Sequence, residues 1–136
     1  MVQQVSFSLP SYNRGFHLIT REIVKQLPDL PETGLCNIFI QHTSCALCIN
    51  ENADPTVRSD FRAFVDRMVP DNASYFKHTL EGADDMPAHI KSSLFGQSIT
   101  IPIRAKRLAL GTWQGVYLCE FRDYGGNRNI IISVFS

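Results

Sequence analysis

The stretch from Ser98 to Phe135, SITIPIRAKRLALGTWQGVYLCEFRDYGGNRNIIISVF, decides the fold class. It contains four β-rich runs, SITIPI, RLALGT, GVYLCEF and NIIISVF, and Gly125-Gly126-Asn127 supplies the last turn. Short turns between consecutive strands predict antiparallel neighbours. Upstream the pattern mixes periods. VSFSL, within 2–9, alternates and reads as a first strand. Phe16, Ile19, Ile23 and Leu27 recur at spacings of three and four, which predicts an amphipathic helix stopped by Pro28 and Pro31. Gly34 opens the strand CNIFIQ, ALCINE makes a second, and His42-Thr43-Ser44 is the hairpin turn between them. Asp54 and Pro55 start a helix as cap and first residue. Val57, Phe61, Phe64, Val65 and Met68 form its apolar face, and Pro70 ends it. Residues 71–84 form a polar loop of a length that is more often functional than idle. Asp84 or Asp85 then caps a helix with Pro87 in its first turn and Gly96 at its end. The order β, α, β, β, α, α, β, β, β, β predicts a single α+β domain over 1–136, with a mixed, mainly antiparallel sheet and helices on one side.

Composition narrows the function classes. A formal net charge of zero and the lack of a Lys/Arg run argue against a nucleic-acid footprint. No apolar run reaches bilayer length, and the first residues have neither a basic nor an apolar signal region, so no membrane partner and a cytoplasmic location are expected. Cys36, Cys45, Cys48 and Cys119 all lie in strand-like runs and read as buried free thiols. Cys45 and Cys48 have Cys-x-x-Cys spacing, but side chains three apart on a strand face opposite ways and cannot share one metal.

Polar residues end several apolar stripes. His42 shares a face with Ile38 and Ile40, Glu51 with Leu47 and Ile49, and Glu120 with Val116 and Leu118. An ionisable group at the rim of an apolar face is a candidate for a site, and also what a strand shows on reaching solvent. The block HTLEGADDMPAHIKSS, 78–93, adds His78, Asp85 and His89. Asp85 and His89 stand four apart, so on a helix Asp85 can orient the His89 ring. A metal site needs His42 to join His78 and His89. The segment Leu110–Gly115 is a possible phosphate cradle, with Thr112 and Gln114 as donors and Trp113 beside it. The signal is weak, and a tight hairpin between strands explains the segment better.

Three blocks carry a resemblance: HTSCALCINENADP (42–55), YFKHTLEGADDMPAHIKSSLFG (75–96) and LALGTWQGVYLCEF (108–121). In order and spacing they resemble the signature blocks of the YjbQ family, and the likeness spans the whole chain. The resemblance implies a sheet bent into a half-barrel, a homotrimer and a cytoplasmic protein. It also implies an associated thiamine-phosphate synthase activity, in which a hydroxymethylpyrimidine pyrophosphate joins a thiazole phosphate and pyrophosphate leaves. The family's motif positions fall on His42, Thr43, Ser44, Asn50, Glu51, His78, Asp84, Asp85, His89, Thr112, Trp113, Gln114 and Glu120. The 104–107 segment, Arg-Ala-Lys-Arg, departs from the Gly-containing turn of relatives.

Two function classes follow. In the first, an enzyme acts on a phosphorylated small molecule. His42, His78 and His89 hold a metal or the anion, Glu120, Glu51 and Asp85 serve as base or positioning groups, and Thr43, Ser44, Asn50, Thr112, Trp113 and Gln114 contact substrate. Three histidines suit zinc or another divalent transition metal, whereas a thiamine-phosphate synthase would use magnesium held through oxygens. A zinc-dependent hydrolase fits the same residues. In the second class the chain is a metal- or anion-binding protein without catalysis.

Overall fold

A computed structural model describes all 136 residues. The elements, in order, are β1 (Val2–Leu9), β2 (Gly15–Leu18), α1 (Thr20–Gln26), β3 (Thr33–Ile40), β4 (Cys45–Glu51), α2 (Pro55–Met68), α3 (Asp85–Phe95), β5 (Ser98–Arg104), β6 (Arg107–Leu108), β7 (Gln114–Glu120) and β8 (Arg128–Phe135). The strands form a five-stranded sheet, β1-β8-β3-β5-β6, and a three-stranded sheet, β2-β7-β4. Every pairing is antiparallel, and together the sheets make the expected α+β half-barrel.

Strand alternation divides the interior in two. Cys45, Leu47, Val116 and Leu118 face the five-stranded sheet and pack with Ile38, Ile40, Ile101, Ile130 and Ile132. The intervening residues Ala46, Tyr117 and Cys119 face outward into a second cluster with Phe16, Val65, Ala88 and Phe121, beneath α2 and α3. Each buried aliphatic side chain removes enough apolar surface to be worth roughly 1.5–3 kcal/mol.

Several expectations change. Phe16 is not helical: Gly15–Leu18 pairs with β7, with Phe16 opposite Cys119, and the helix begins only at Thr20. Pairing to an existing strand overrides the three-four spacing. The 42–44 segment is not a hairpin turn either, because β3 and β4 belong to different sheets. Likewise β7 leaves the sheet of β6, and β8 returns to it between β1 and β3, so of the C-terminal strands only β5 and β6 are sequential neighbours. On α2, Asp54 caps as expected, its carboxylate accepting from Thr56 N–H at 2.9 Å, and Pro55 is the first helical residue. Its apolar face is covered only in part: Val65 is buried and Phe61 stacks on Phe16, while Phe64 and Met68 stay exposed.

Candidate functional site

The core ends at a polar floor. Glu120 continues the inward face of β7, and Arg128 that of β8, so the two meet where the sheets run out of apolar residues. Arg128 donates to Glu120 through Nε at 2.8 Å and Nη2 at 2.5 Å, and both side chains are buried. Arg128 Nη2 also reaches the Ser44 carbonyl at 3.4 Å, and Asn129 N–H donates to His42 Nε2 at 2.8 Å. These bonds hold the 42–44 segment as it crosses between sheets. Burial, helped by the Arg128 charge, pushes the His42 pKa down and keeps the ring neutral.

Above this floor stands the start of α3. Asp84 occupies the helix N-cap position, yet its carboxylate does not cap. It accepts instead from Arg122 Nε at 3.0 Å and Asp123 N–H at 2.9 Å. Asp85 is buried in the first turn, with Oδ1 bound by Arg122 Nη1 at 2.6 Å and Oδ2 by His78 Nε2 at 2.6 Å. Burial opposes ionisation of Asp85, but the His78 hydrogen bond and the Arg122 charge outweigh it and hold the carboxyl below the usual carboxylate range. Burial likewise opposes ionisation of Asp84, and the Asp123 N–H and Arg122 bonds prevail there too.

His89 lies one helical turn after Asp85, with Nε2 at 3.4 Å from Asp85 Oδ2. Its Nδ1 meets the Thr43 carbonyl at 2.9 Å, and only an N–H can make that bond. So the backbone of Thr43, not Asp85, sets the His89 tautomer. The ligand-capable atoms of His78, Asp85 and His89 all lie within 4.8 Å of one another, a donor set able to hold one divalent ion.

His42 stands outside this trio, because its Nε2 is taken by Asn129. With Thr43, His89, Ser92, Ser93 and Gln97 it lines an open cavity of about 600 Å³ beside the cluster. Ser44 is buried below, and Glu120 is spent on Arg128 rather than free as a base. The remaining expected residues lie elsewhere. Register places Cys45 opposite Glu120 and Glu51 opposite Gln114, so the far pole of this sheet is about 20 Å away at roughly 3.3 Å per residue. There Asn50, Glu51, Trp113 and Gln114 line a separate cavity of about 360 Å³. Gln114 Oε1 accepts from Gly111 N–H at 2.8 Å, Thr112 O accepts from Asn52 at 3.1 Å, and Glu51 Oε2 accepts from Asp54 N–H at 3.1 Å. They shape a loop, apart from the histidines.

Sequence reading missed Arg122 and Arg128. Arg128 shares strand parity with Ile130, Ile132 and Val134, the same cue that singled out Glu120. Arg122 has no such signal, since it follows the end of β7.

Residues 5–136 match the family model described as UPF0047 protein YjbQ-like. The chain is 50% identical to UPF0047 protein YjbQ of Escherichia coli O157:H7 and 52% identical to that of Salmonella typhimurium, over 98% of each chain. Among solved structures, it is similar to a conserved hypothetical protein of Thermus thermophilus, at 36% identity and TM-score 0.83, covering 94% of this chain and 97% of that one. A YjbQ/UPF0047 family protein of Clostridium acetobutylicum aligns at 34% identity and TM-score 0.81, covering 96% and 99%. With a family match running almost end to end and half the residues shared with two relatives, the chain belongs to the YjbQ-like UPF0047 family.

Proposed function

We propose that His78, Asp85 and His89 bind one zinc or similar divalent transition-metal ion, and that the adjoining cavity takes the anionic end of a phosphorylated small molecule. The observation that carries this reading is the tautomer of His89. With Nδ1–H given to Thr43, a neutral His89 ring turns its Nε2 lone pair to the Asp85 carboxylate at 3.4 Å. That separation is bridged either by a proton on Nε2 or by a metal ion, and His78 supplies the third donor atom that favours the metal. A carbonyl holding the far side of a ligating imidazole is also the usual support of a histidine metal ligand. Two imidazoles and one carboxylate oxygen suit zinc better than magnesium, and Arg122 already takes the other oxygen of Asp85.

Zinc bound there would supply a Lewis acid to a phosphoryl oxygen. His42 and the hydroxyls of Thr43 and Ser93 line the same cavity and offer polar contacts to the anion. This favours metal-assisted hydrolysis over thiamine-phosphate synthesis, in which the departing pyrophosphate would bring magnesium held through oxygens. A second reading rests on the 2.6 Å His78–Asp85 contact: a carboxylate–histidine pair acting as acid–base or anion binder without metal.

Elemental analysis of protein purified without chelators separates the two. One zinc per chain is expected, lost in His78→Ala and His89→Ala and retained in His42→Ala. Equal metal content in all variants, or none in the parent, would overturn the metal reading.

The homotrimer is part of this proposal. Val2, Phe135, Leu35 and Pro102 form one outward row across four strands of the five-stranded sheet, and no helix covers it. Light scattering at a trimer mass is expected; a monomer mass would count against it. No helix is long and apolar enough to cross a membrane, and four free thiols suit the reducing cytoplasm.

A further inference from the structure

The helix-facing side of the three-stranded sheet carries a second group of reactive side chains. Register sets Cys48 of β4 opposite Tyr117 and Ala46 opposite Cys119 of β7, so the two cysteines are diagonal neighbours on one face. Their sulfurs lie 3.5 Å apart, with the Cys119 thiol donating to Cys48. A disulfide needs about 2.05 Å, so the sulfurs have only roughly 1.5 Å to close, by side-chain rotation together with the small strand shift that a diagonal pair requires. Cys119 is fully buried beside Phe16 and Phe121, whereas Cys48 is partly exposed. Cys36 and Cys45 belong to the other cluster, on the opposite side of the sheet.

We propose that Cys48 and Cys119 are a redox-active dithiol, oxidised by a peroxide to a disulfide that links β4 to β7. Cys48 is the attacking sulfur, since it has access to solvent. The hydrogen bond from Cys119 lowers the Cys48 pKa, while burial first and that same bond second raise Cys119 well above the ordinary thiol value. The pair thus divides into a nucleophile and a resolving thiol that keeps its proton. The Cys48 thiolate attacks one peroxide oxygen and the O–O bond breaks. The departing hydroxide takes up a proton and leaves as water, and Cys48 becomes a sulfenic acid. The Cys119 sulfur then attacks the Cys48 sulfur, and its proton leaves with the sulfenic hydroxyl as a second water. Two thiols lose two electrons, and one peroxide is reduced to two waters.

The test uses the full chain, exposed to hydrogen peroxide, unfolded in iodoacetamide and mapped by mass spectrometry without reductant. A peptide joining Cys48 to Cys119, lighter by two hydrogens and released by dithiothreitol, is expected, with Cys36 and Cys45 recovered alkylated. In Cys119→Ala, whose folding is checked by circular dichroism, a dimedone adduct on Cys48 should replace the cross-link. His89→Ala should oxidise like the parent, because the dithiol is independent of the histidine cluster. Recovery of all four cysteines alkylated after peroxide would overturn the proposal. So would sulfinic acid at Cys48 in the parent chain with no bridge to Cys119.

Discussion

Glu120 and Arg128 close the end of the inter-sheet core with a charge pair instead of a methyl group. Taking such a pair out of water is costly, and once it is formed, removing one partner strands the other. Glu120→Gln leaves the buried Arg128 guanidinium without its counter-charge. A loss of about 3–5 kcal/mol is expected, read from the shift of the urea midpoint at unchanged slope. A variant as stable as the parent would show that Arg128 finds another anion. Strand parity makes Glu120 visible in the sequence as an ionisable end to an apolar stripe. Its occupation by Arg128 is not visible there, because β7 and β8 share no ladder and their meeting is set by how two sheets face each other. His42 is a parallel case: parity puts it at the rim, but only the fold supplies Asn129 N–H to claim its Nε2.

At the scale of elements, strands and helices with strong local signals are legible: β1, β3, β4, α2 and α3 fall close to where alternation, caps and prolines put them. The 15–27 region is not, because a four-residue strand pairing with β7 carries no period long enough to compete with a helical one. Nor is strand order, since short connections suggest hairpins where the chain in fact changes sheets. Gly115, the first buried residue of β7 and on the same outward side as Tyr117 and Cys119, lets one such change happen. A Cβ there would stand 2.7 Å from Leu18 Cδ2 and 3.0 Å from Asn52 Cβ, so β2 and the loop after β4 could not both approach. Gly115→Ala is expected to cost about 1–3 kcal/mol, measured by thermal denaturation. No change in melting temperature would mean that Leu18 has room to move.

Across the whole molecule, the site's electrostatics set the response to pH. The folded-state pKa values of Asp84 and Asp85 lie below the ordinary 3.8, so their contribution to stability is complete above that value and is lost as pH falls through the lower folded values. His42 is also depressed, from 6.5, because its charged form is disfavoured in the fold. Its contribution is complete above 6.5 and declines as pH drops further. Unfolding free energies should therefore fall first just below neutrality and again in strong acid; a flat profile from pH 7 to pH 4 would contradict the placement of His42. The polar floor of the site is at the same time the lid of the core, and this limits how freely the protein can diversify. In a saturation scan scored separately for abundance and for the proposed zinc binding, replacements at 44, 120 and 128 should fail on both counts, because no change there spares the packing of the sheets. His78 and His89, which stand above the floor and are partly exposed, should tolerate exchange for abundance while losing the proposed zinc binding. New specificities in this family would then arise on the rim of the cavity and leave its base untouched.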